Sequence, residues 1–436
     1  MHLAPGRPAR DLLVTRPLAP AWRALGLLWL VHAIANIDRF SVGLVAQSIK
    51  ADLKLSDTEL GLFTGAAFVV AYVVVGLPMA RWLDRGNRSR IMTLALAFWS
   101  LATVACGAVS NFVQLLAARA GVGSGESACV PGALSLIADH FPPEKRLQAV
   151  GIFQSALPAA GIVGTPAIGW VADQHGWRAA LYAMGAAGLL LAALLALALR
   201  EPPRQGATAA ARSAATGWWP SLLALWRLKA FRHLMIGHGL YGIGIFSFVT
   251  WYPISLVRIH GMTYTELGLF AGTGLGLVMV AASLASGFFG PRVVRRMDDE
   301  RWLVYLPALF CLLSVPALAL ASGEVSKLTA MAAGTFAFAC TMVRMPLILT
   351  LSTNLLPAEM RSTGSLVFLL AVNILGSAIG PVLAGMISDA LAPSLGGVQA
   401  LRQALLWTAP PLCLLGALYA FVPARHMPRH APPEAG

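Results

Sequence analysis

Charge is scarce in this sequence. Only 12% of its 436 residues are charged and 57% are apolar, whereas an ordinary soluble domain is about 25% charged. Acids are the scarcer sign, 19 Asp and Glu against 32 Lys and Arg. Cysteine is confined to Cys106, Cys129, Cys311, Cys340 and Cys413. All five fall in apolar runs and none sits at metal or disulfide spacing, so they read as small core residues. Alternating strand patterns are missing as well, which argues against a membrane barrel. No metal motif, nucleotide loop or nucleophile–base pair is present, and the loops leave no room for a soluble catalytic domain. No enzyme activity, cofactor or metal is expected.

Long apolar runs fill most of the chain. A spanning helix needs about 20 mostly apolar residues, and a lipid-exposed backbone must satisfy its own hydrogen bonds. The pattern predicts twelve such helices, at 22–47, 57–83, 90–109, 112–138, 147–172, 178–199, 231–257, 264–289, 302–321, 325–354, 361–389 and 400–423. Residues 200–230 divide them. Glu201-Pro202-Pro203-Arg204-Gln205-Gly206 stops the sixth helix and opens a small, polar stretch. Trp218-Trp219 then suits a segment at the membrane surface. The expected domains are a tail at 1–21, a six-helix bundle at 22–199, a linker at 200–230, a second bundle at 231–423 and a tail at 424–436. Residues 1–21 carry Arg7, Arg10 and Arg16 but no cleavage-like boundary, so the first helix is expected to stay as an anchor.

The net charge of +13 resembles a nucleic-acid signal, but its distribution says otherwise. Of the 32 Lys and Arg, 23 lie in or at the edges of the tails and loops on the side of the termini. The opposite side holds six: Lys50, Lys54, Arg178, Arg258, Lys327 and Arg402. Arg39, Arg119 and Arg344 lie inside helices. This bias predicts cytoplasmic termini. It makes anionic lipid, rather than nucleic acid, the partner of the basic charge.

The two bundles repeat one plan. Thr58-Glu59-Leu60-Gly61-Leu62-Phe63 recurs as Thr265-Glu266-Leu267-Gly268-Leu269-Phe270, 207 residues later. Phe141-Pro142-Pro143-Glu144-Lys145-Arg146 echoes in Leu356-Pro357-Ala358-Glu359-Met360-Arg361, 215 residues later. Gly161, Gly164, Pro166 and Gly169 match Gly376, Gly380-Pro381 and Gly385. Small residues allow helices close approach and proline bends them, which suits two halves that rock, although tight static packing would use the same residues. A duplicated membrane bundle is the usual plan of a secondary transporter, with its site where the halves meet.

Ala80-Arg81-Trp82-Leu83-Asp84-Arg85-Gly86-Asn87-Arg88 resembles the loop motif between helices 2 and 3 of the major facilitator superfamily, and Arg119-Ala120-Gly121-Val122-Gly123 its helix 4 motif. Asn36-Ile37-Asp38-Arg39 and Gly123-Ser124-Gly125-Glu126-Ser127 are similar to Spinster-like proteins and to the neighbouring organic anion/cation symporters. Leu256-Val257-Arg258-Ile259-His260-Gly261, and the stretch from Asn373 to Asp389, favour Spinster-like. The resemblance implies the major facilitator fold, an all-α membrane protein of two six-helix bundles. It implies a lysolipid-like amphipathic substrate, or a small carboxylate if the neighbouring symporters are the better guide. Two positions depart from the pattern: Ala80 replaces the first glycine of the loop motif, and Pro291 stands where Asp84 lies in the first half.

Charges inside the helices carry the expected chemistry. Asp38 lies about 24 Å along helix 1, and Glu126 about 21 Å into helix 4. Both are within a hydrocarbon core about 30 Å thick, where a charge costs about 2.5–3.5 kcal/mol. Arg119 and Glu126 are two turns apart on one face. Asp38 and Arg39 point in different directions, so each needs its own partner. An Asp38–Arg39–Arg119–Glu126 cluster between helices 1 and 4 is the expected arrangement, either as a static ion-pair network or as a proton- or substrate-linked site. The second reading is taken: Asp38 and Glu126 carry coupling protons and contact substrate, while Arg39 and Arg119 complete the charge network. Arg344 has no acid at comparable depth in the second bundle. It is assigned to an anionic substrate group, the alternative being backbone carbonyls or a first-half carboxylate. His32 and His238 read as core histidines. Asp84, Arg85 and Arg88 are assigned to a cytoplasmic gate.

The expectation is an alternating-access transporter, proton-coupled and monomeric, in a bacterial inner membrane. Its partners are a small-molecule or lipid substrate, protons and membrane lipid. An organic-acid/proton symporter, a proton-coupled drug exporter and a transporter-like sensor are the alternatives.

Overall fold

The computed structural model describes residues 18–203, 225–297, 299, 301–356 and 361–427. The first seventeen residues, most of the linker with Trp218-Trp219, Pro357 to Met360 of the second echo and the last nine residues lie outside it, as does the side chain of Pro291.

Among the described residues the chain is helical throughout, with no strand. We number the helices α1 (Leu18–Leu53), α2 (Asp57–Arg85), α3 (Arg88–Ala108), α4 (112–140), α5 (143–175), α6 (177–198), α7 (Lys229–Arg258), α8 (Tyr264–Met297), α9 (Trp302–Ser322), α10 (Lys327–Asn354), α11 (361–395) and α12 (397–419). Among the described residues nine continuous stretches are long and apolar enough to cross a membrane. Two of these, α5–α6 and α11–α12, are paired helices joined at Gly176 (φ 81°) and Gly396 (φ 75°), where the turn requires a backbone conformation only glycine adopts cheaply. The remaining predicted segment, α4, is interrupted after Glu126 and resumes at Cys129. Most boundaries extend the expected segments by a few residues, because capped helix ends run past the apolar core.

The halves pack as α1–α6 and α7–α12. They meet along α2 against α11, α5 against α8, and α1 against α7. Glycine makes the first two contacts possible. A Cβ on Gly61 would strike the backbone of Pro381, and one on Gly268 would strike Thr165 and Pro166. Gly272 lies against Gly161 in the same way. The helices α2, α5 and α8 each widen into a π-helical turn at these crossings, at 62–66, 160–164 and 268–274. Such turns break the regular ladder and cluster where helices must deform.

Among the described residues most polar contacts between the halves gather on the face opposite the termini; Thr273, deeper along α8, donates to the Ile162 carbonyl at 3.0 Å. Arg258 donates to both carboxylate oxygens of Asp57 at 2.9 and 2.7 Å. Ser388 donates to Asp57 at 2.6 Å, and Tyr264 contacts Ser48. The molecule is therefore closed on that face. The sparse cations there find local acids: Lys50 pairs with Asp57, Arg178 with Asp52, Lys327 with Glu266 and Arg402 with Glu324.

Candidate functional site

The four charged residues singled out on α1 and α4 come together as two crossed ion pairs. Arg39 Nε donates to Glu126 Oε2 at 2.7 Å, and Arg119 Nη1 donates to Asp38 Oδ1 at 2.7 Å. Adjacent residues on α1 thus reach residues two turns apart on α4, because successive helix positions differ by about 100°. Thr103 of α3 donates to the other oxygen of Asp38 at 2.5 Å. Phe68 of α2 lies between the arginines, 5.1 Å from the Arg39 guanidinium carbon and 4.7 Å from that of Arg119. Tyr72 extends the aromatic surface under Arg39 at 5.5 Å. The close approach of α2 to α4 depends on Gly123, whose Cβ would collide with the Phe68 carbonyl.

The pairs differ in exposure. The Asp38 and Arg119 side chains are each 4% exposed. In the other pair Glu126 is fully buried, yet the Arg39 side chain is 36% exposed. Glu126 keeps one oxygen, Oε1, without a hydrogen-bond partner, and Arg119 Nε is likewise unpartnered. The α4 break falls immediately after Glu126, where the regular hydrogen bonding lapses while Ser127 and Ala128 keep nearly helical angles. A cavity of about 160 Å³ lies inside the first half behind Asp38, and Trp99, Ser100 and Thr103 share its wall. Its wall is almost wholly apolar, and the Trp99 Nε1 and Ser100 Oγ atoms beside it are buried without a hydrogen-bond partner.

Arg344 lies apart, buried within the second half and stacked 4.1 Å from the Tyr241 ring centroid. Its Nε and Nη1 have no hydrogen-bond partner. Tyr241 is held beneath it by Ser314 and Thr341, both at 3.1 Å. His238, one turn before Tyr241, is buried against Phe368 with neither ring nitrogen hydrogen-bonded. His32 packs against Phe153 in a tilted arrangement, with ring centroids 4.3 Å apart.

The three residues assigned to a gate separate. Asp84 and Arg85 are exposed at the α2–α3 turn. Arg88 is buried and bound to first-half partners: Asp139 at 2.5 Å, Glu201 at 2.7 Å and Ser135 Oγ at 2.9 Å. Sequence reasoning overlooked Asp57, Asp173 and Asp389, which join the halves. Extending the repeat would have found the last two, since they lie 216 residues apart at matching ends of α5 and α11.

A family model described as Major Facilitator Superfamily matches residues 28–381. An "MFS-type efflux pump" of Mycolicibacterium smegmatis is 33% identical over 409 residues, covering 93% of each chain. A "probable galactarate/D-glucarate transporter" of Bacillus subtilis is 30% identical over 275 residues, 57% of this chain and 60% of the relative. The fold matches the crystal structure of a bacterial homologue of the human lysosomal transporter Spinster, inward-facing and unoccupied. That match has TM-score 0.80 and 26% identity, over 94% of this chain and 98% of the other.

Proposed function

The chain belongs to the Major Facilitator Superfamily, is Spinster-like within it and is an integral membrane transporter of small molecules; from that premise we propose that it couples transport to protons through Glu126 and Asp38. The observation carrying this reading is the unequal pair of Arg39, partly exposed, and Glu126, fully buried. Arg39 can exchange one anionic partner for another, and Glu126 cannot reach solvent without moving. When an anionic substrate group takes Arg39, Glu126 loses its counter-charge in a dry environment and takes up a proton. When the proton leaves, Arg39 returns to the carboxylate and the substrate is released. Asp38 and Arg119 form the deeper pair, and Thr103 holds the Asp38 carboxylate in register.

The substrate is amphipathic or anionic. Phe68 and Tyr72 beside Arg39 offer an apolar surface next to a cation, which suits a polar head carrying a hydrophobic body. Arg344 is the second candidate for an anionic group, because its unpartnered donors lie on a guanidinium suited to carboxylate or phosphate. A small carboxylate is the second reading, favoured by the galactarate/D-glucarate relative; export, which the efflux-pump relative favours, would instead need substrate to displace the proton from Glu126. The working picture is a monomer in a bacterial inner membrane with both termini cytoplasmic, so that the closed face is the outer one.

The test is uptake or extrusion by reconstituted protein under an imposed pH gradient, with a lysolipid and a sugar diacid as alternative substrates. Glu126→Gln is expected to abolish gradient-driven accumulation while substrate exchange in the absence of a gradient persists. Continued accumulation by the variant would remove Glu126 from the coupling role.

A further inference from the structure

We propose that Asp173 and Asp389 are the paired latch of the face opposite the termini, each half lending one carboxylate to the second helix of the other. Asp389, near the end of α11, accepts from the backbone N–H of Asp57 at 2.8 Å, from the N–H of Thr58 at 2.7 Å and from the Thr58 hydroxyl at 2.6 Å. Asp173, at the end of α5, accepts from the N–H of Tyr264 at 3.0 Å, from the N–H of Thr265 at 2.7 Å and from the Thr265 hydroxyl at 2.5 Å. The donors are the same three groups, related by the internal repeat.

The hexapeptide repeat accounts for this geometry residue by residue. The first amides of a helix have no partner inside it. Each of these helices caps its third amide itself. Ser56 accepts from Glu59 N–H while Glu59 returns a bond to Ser56 N–H, and Thr263 and Glu266 do the same. The first two amides are left over, and the opposite half supplies their acceptor. The threonine of the repeat adds a hydroxyl donor, its glutamate closes the local cap, and its glycine, Gly61 or Gly268, lets the other half approach.

Such a contact suits a latch because it is strong when made and tolerable when broken. Charge-assisted bonds to a carboxylate hold the closed face, and on opening both the amides and the aspartate meet water at the rim. The two latches are unequal. Asp173 is exposed, whereas Asp389 is partly buried beside the Asp57–Arg258 pair, so water competes less for it. Asp389 therefore contributes more to closure.

The test is a spin-label distance between residues 54 and 397, in full-length protein whose five cysteines are replaced. Lys54 lies between α1 and α2 and Gly397 follows the α11–α12 turn, both exposed on this face. Asp389→Ala is expected to raise the long-distance, open population about fivefold, the scale of losing a helix cap. Asp173→Ala raises it less, and the double variant more than either. Thr58→Val with Thr265→Val shifts it in the same direction by a smaller factor, and serves if the alanine variants do not fold. Unchanged distances in a folded double variant, or in the valine pair should the alanines fail, would overturn the latch. The readout needs no substrate or pH gradient, so its failure is separate from failure of the coupling role of Glu126.

Discussion

Asp57 and Tyr264 occupy the same position in the two halves, 207 residues apart, and cross the same interface with different chemistry. Asp57 receives a two-pronged bond from Arg258, with Lys50 and Ser388 as further partners. Tyr264 meets only the Ser48 hydroxyl by its side chain. The repeat has kept the place and varied the strength.

Arg258→Gln is expected to destabilise the closed face by about 1.5–3 kcal/mol, the range for hydrogen bonds to a charged group. Tyr264→Phe should cost about 0.5–1.5 kcal/mol. Distances between labels on the two halves, measured as populations, check the order. Equal effects would mean that the ion pair is not the stronger crossing.

Arg344→Ala is expected to weaken substrate affinity at least tenfold, on the scale of one charge-assisted contact, and Arg344→Lys to restore it poorly. Its stability effect runs the other way. Two of its donors are unpartnered in a buried site, so an apolar side chain of similar volume relieves a desolvation cost, and melting of Arg344→Met should be unchanged or higher. Ligand titration and thermal unfolding on each variant separate the two. Unchanged affinity assigns Arg344 to the packing of Tyr241 alone.

The fold and the charged cluster were legible for one reason: both depend on contrast. Twelve apolar runs stand out against short polar loops, and Asp38, Arg39, Arg119 and Glu126 stand out inside those runs. Their side chains pair between α1 and α4 as their depths suggested. The interface was less legible because its polar residues lie at helix ends, where charge is ordinary. Asp173 and Asp389 look like any terminal acid until the chain brings each to a helix start about 90 or 330 residues away. The break after Glu126 had no signal, since Ser127 and Ala128 keep nearly helical angles. Arg88 was placed by its loop motif at a gate, but its partners Asp139 and Glu201 come from distant parts of the same half.

Glycine at the crossings gives a steric prediction. Gly61→Ala and Gly272→Ala each place a methyl group against backbone of the other half, at Pro381 and Gly161. Backbone cannot give way as a flexible side chain can, and overpacking costs about 1–3 kcal/mol. The cost falls on the closed interface and not on either bundle. Transport should drop while each variant melts close to the parent, with the face opposite the termini held open in label distances. A large loss of melting temperature with unchanged distances would place these glycines in the folding of one half instead.

Asp84 and Arg88 belong to one loop motif, and their surroundings predict opposite phenotypes. Asp84 is exposed on the face of the termini, near the level at which α11 begins at Arg361. When that face closes, an aspartate there can cap the start of α11, a contact worth about 0.3–1 kcal/mol. Asp84→Asn should therefore enrich the state described here, and Pro291→Asp, which restores an acid at the matching place in the second half, should oppose it. Labelling of a cysteine in the central cavity from the side of the termini reads both. Arg88 neutralises Asp139 and Glu201 inside the first half. Removing it takes away the cation that the two carboxylates share, and breaking a buried pair costs about 3–5 kcal/mol; Glu201 is 22% exposed, so the lower end applies. Arg88→Ala should thus lower melting strongly while the labelling ratio of the surviving folded protein changes little. If Arg88→Ala instead shifts the ratio as Asp84→Asn does and leaves melting intact, the whole motif acts as one gate and the separation of roles is wrong.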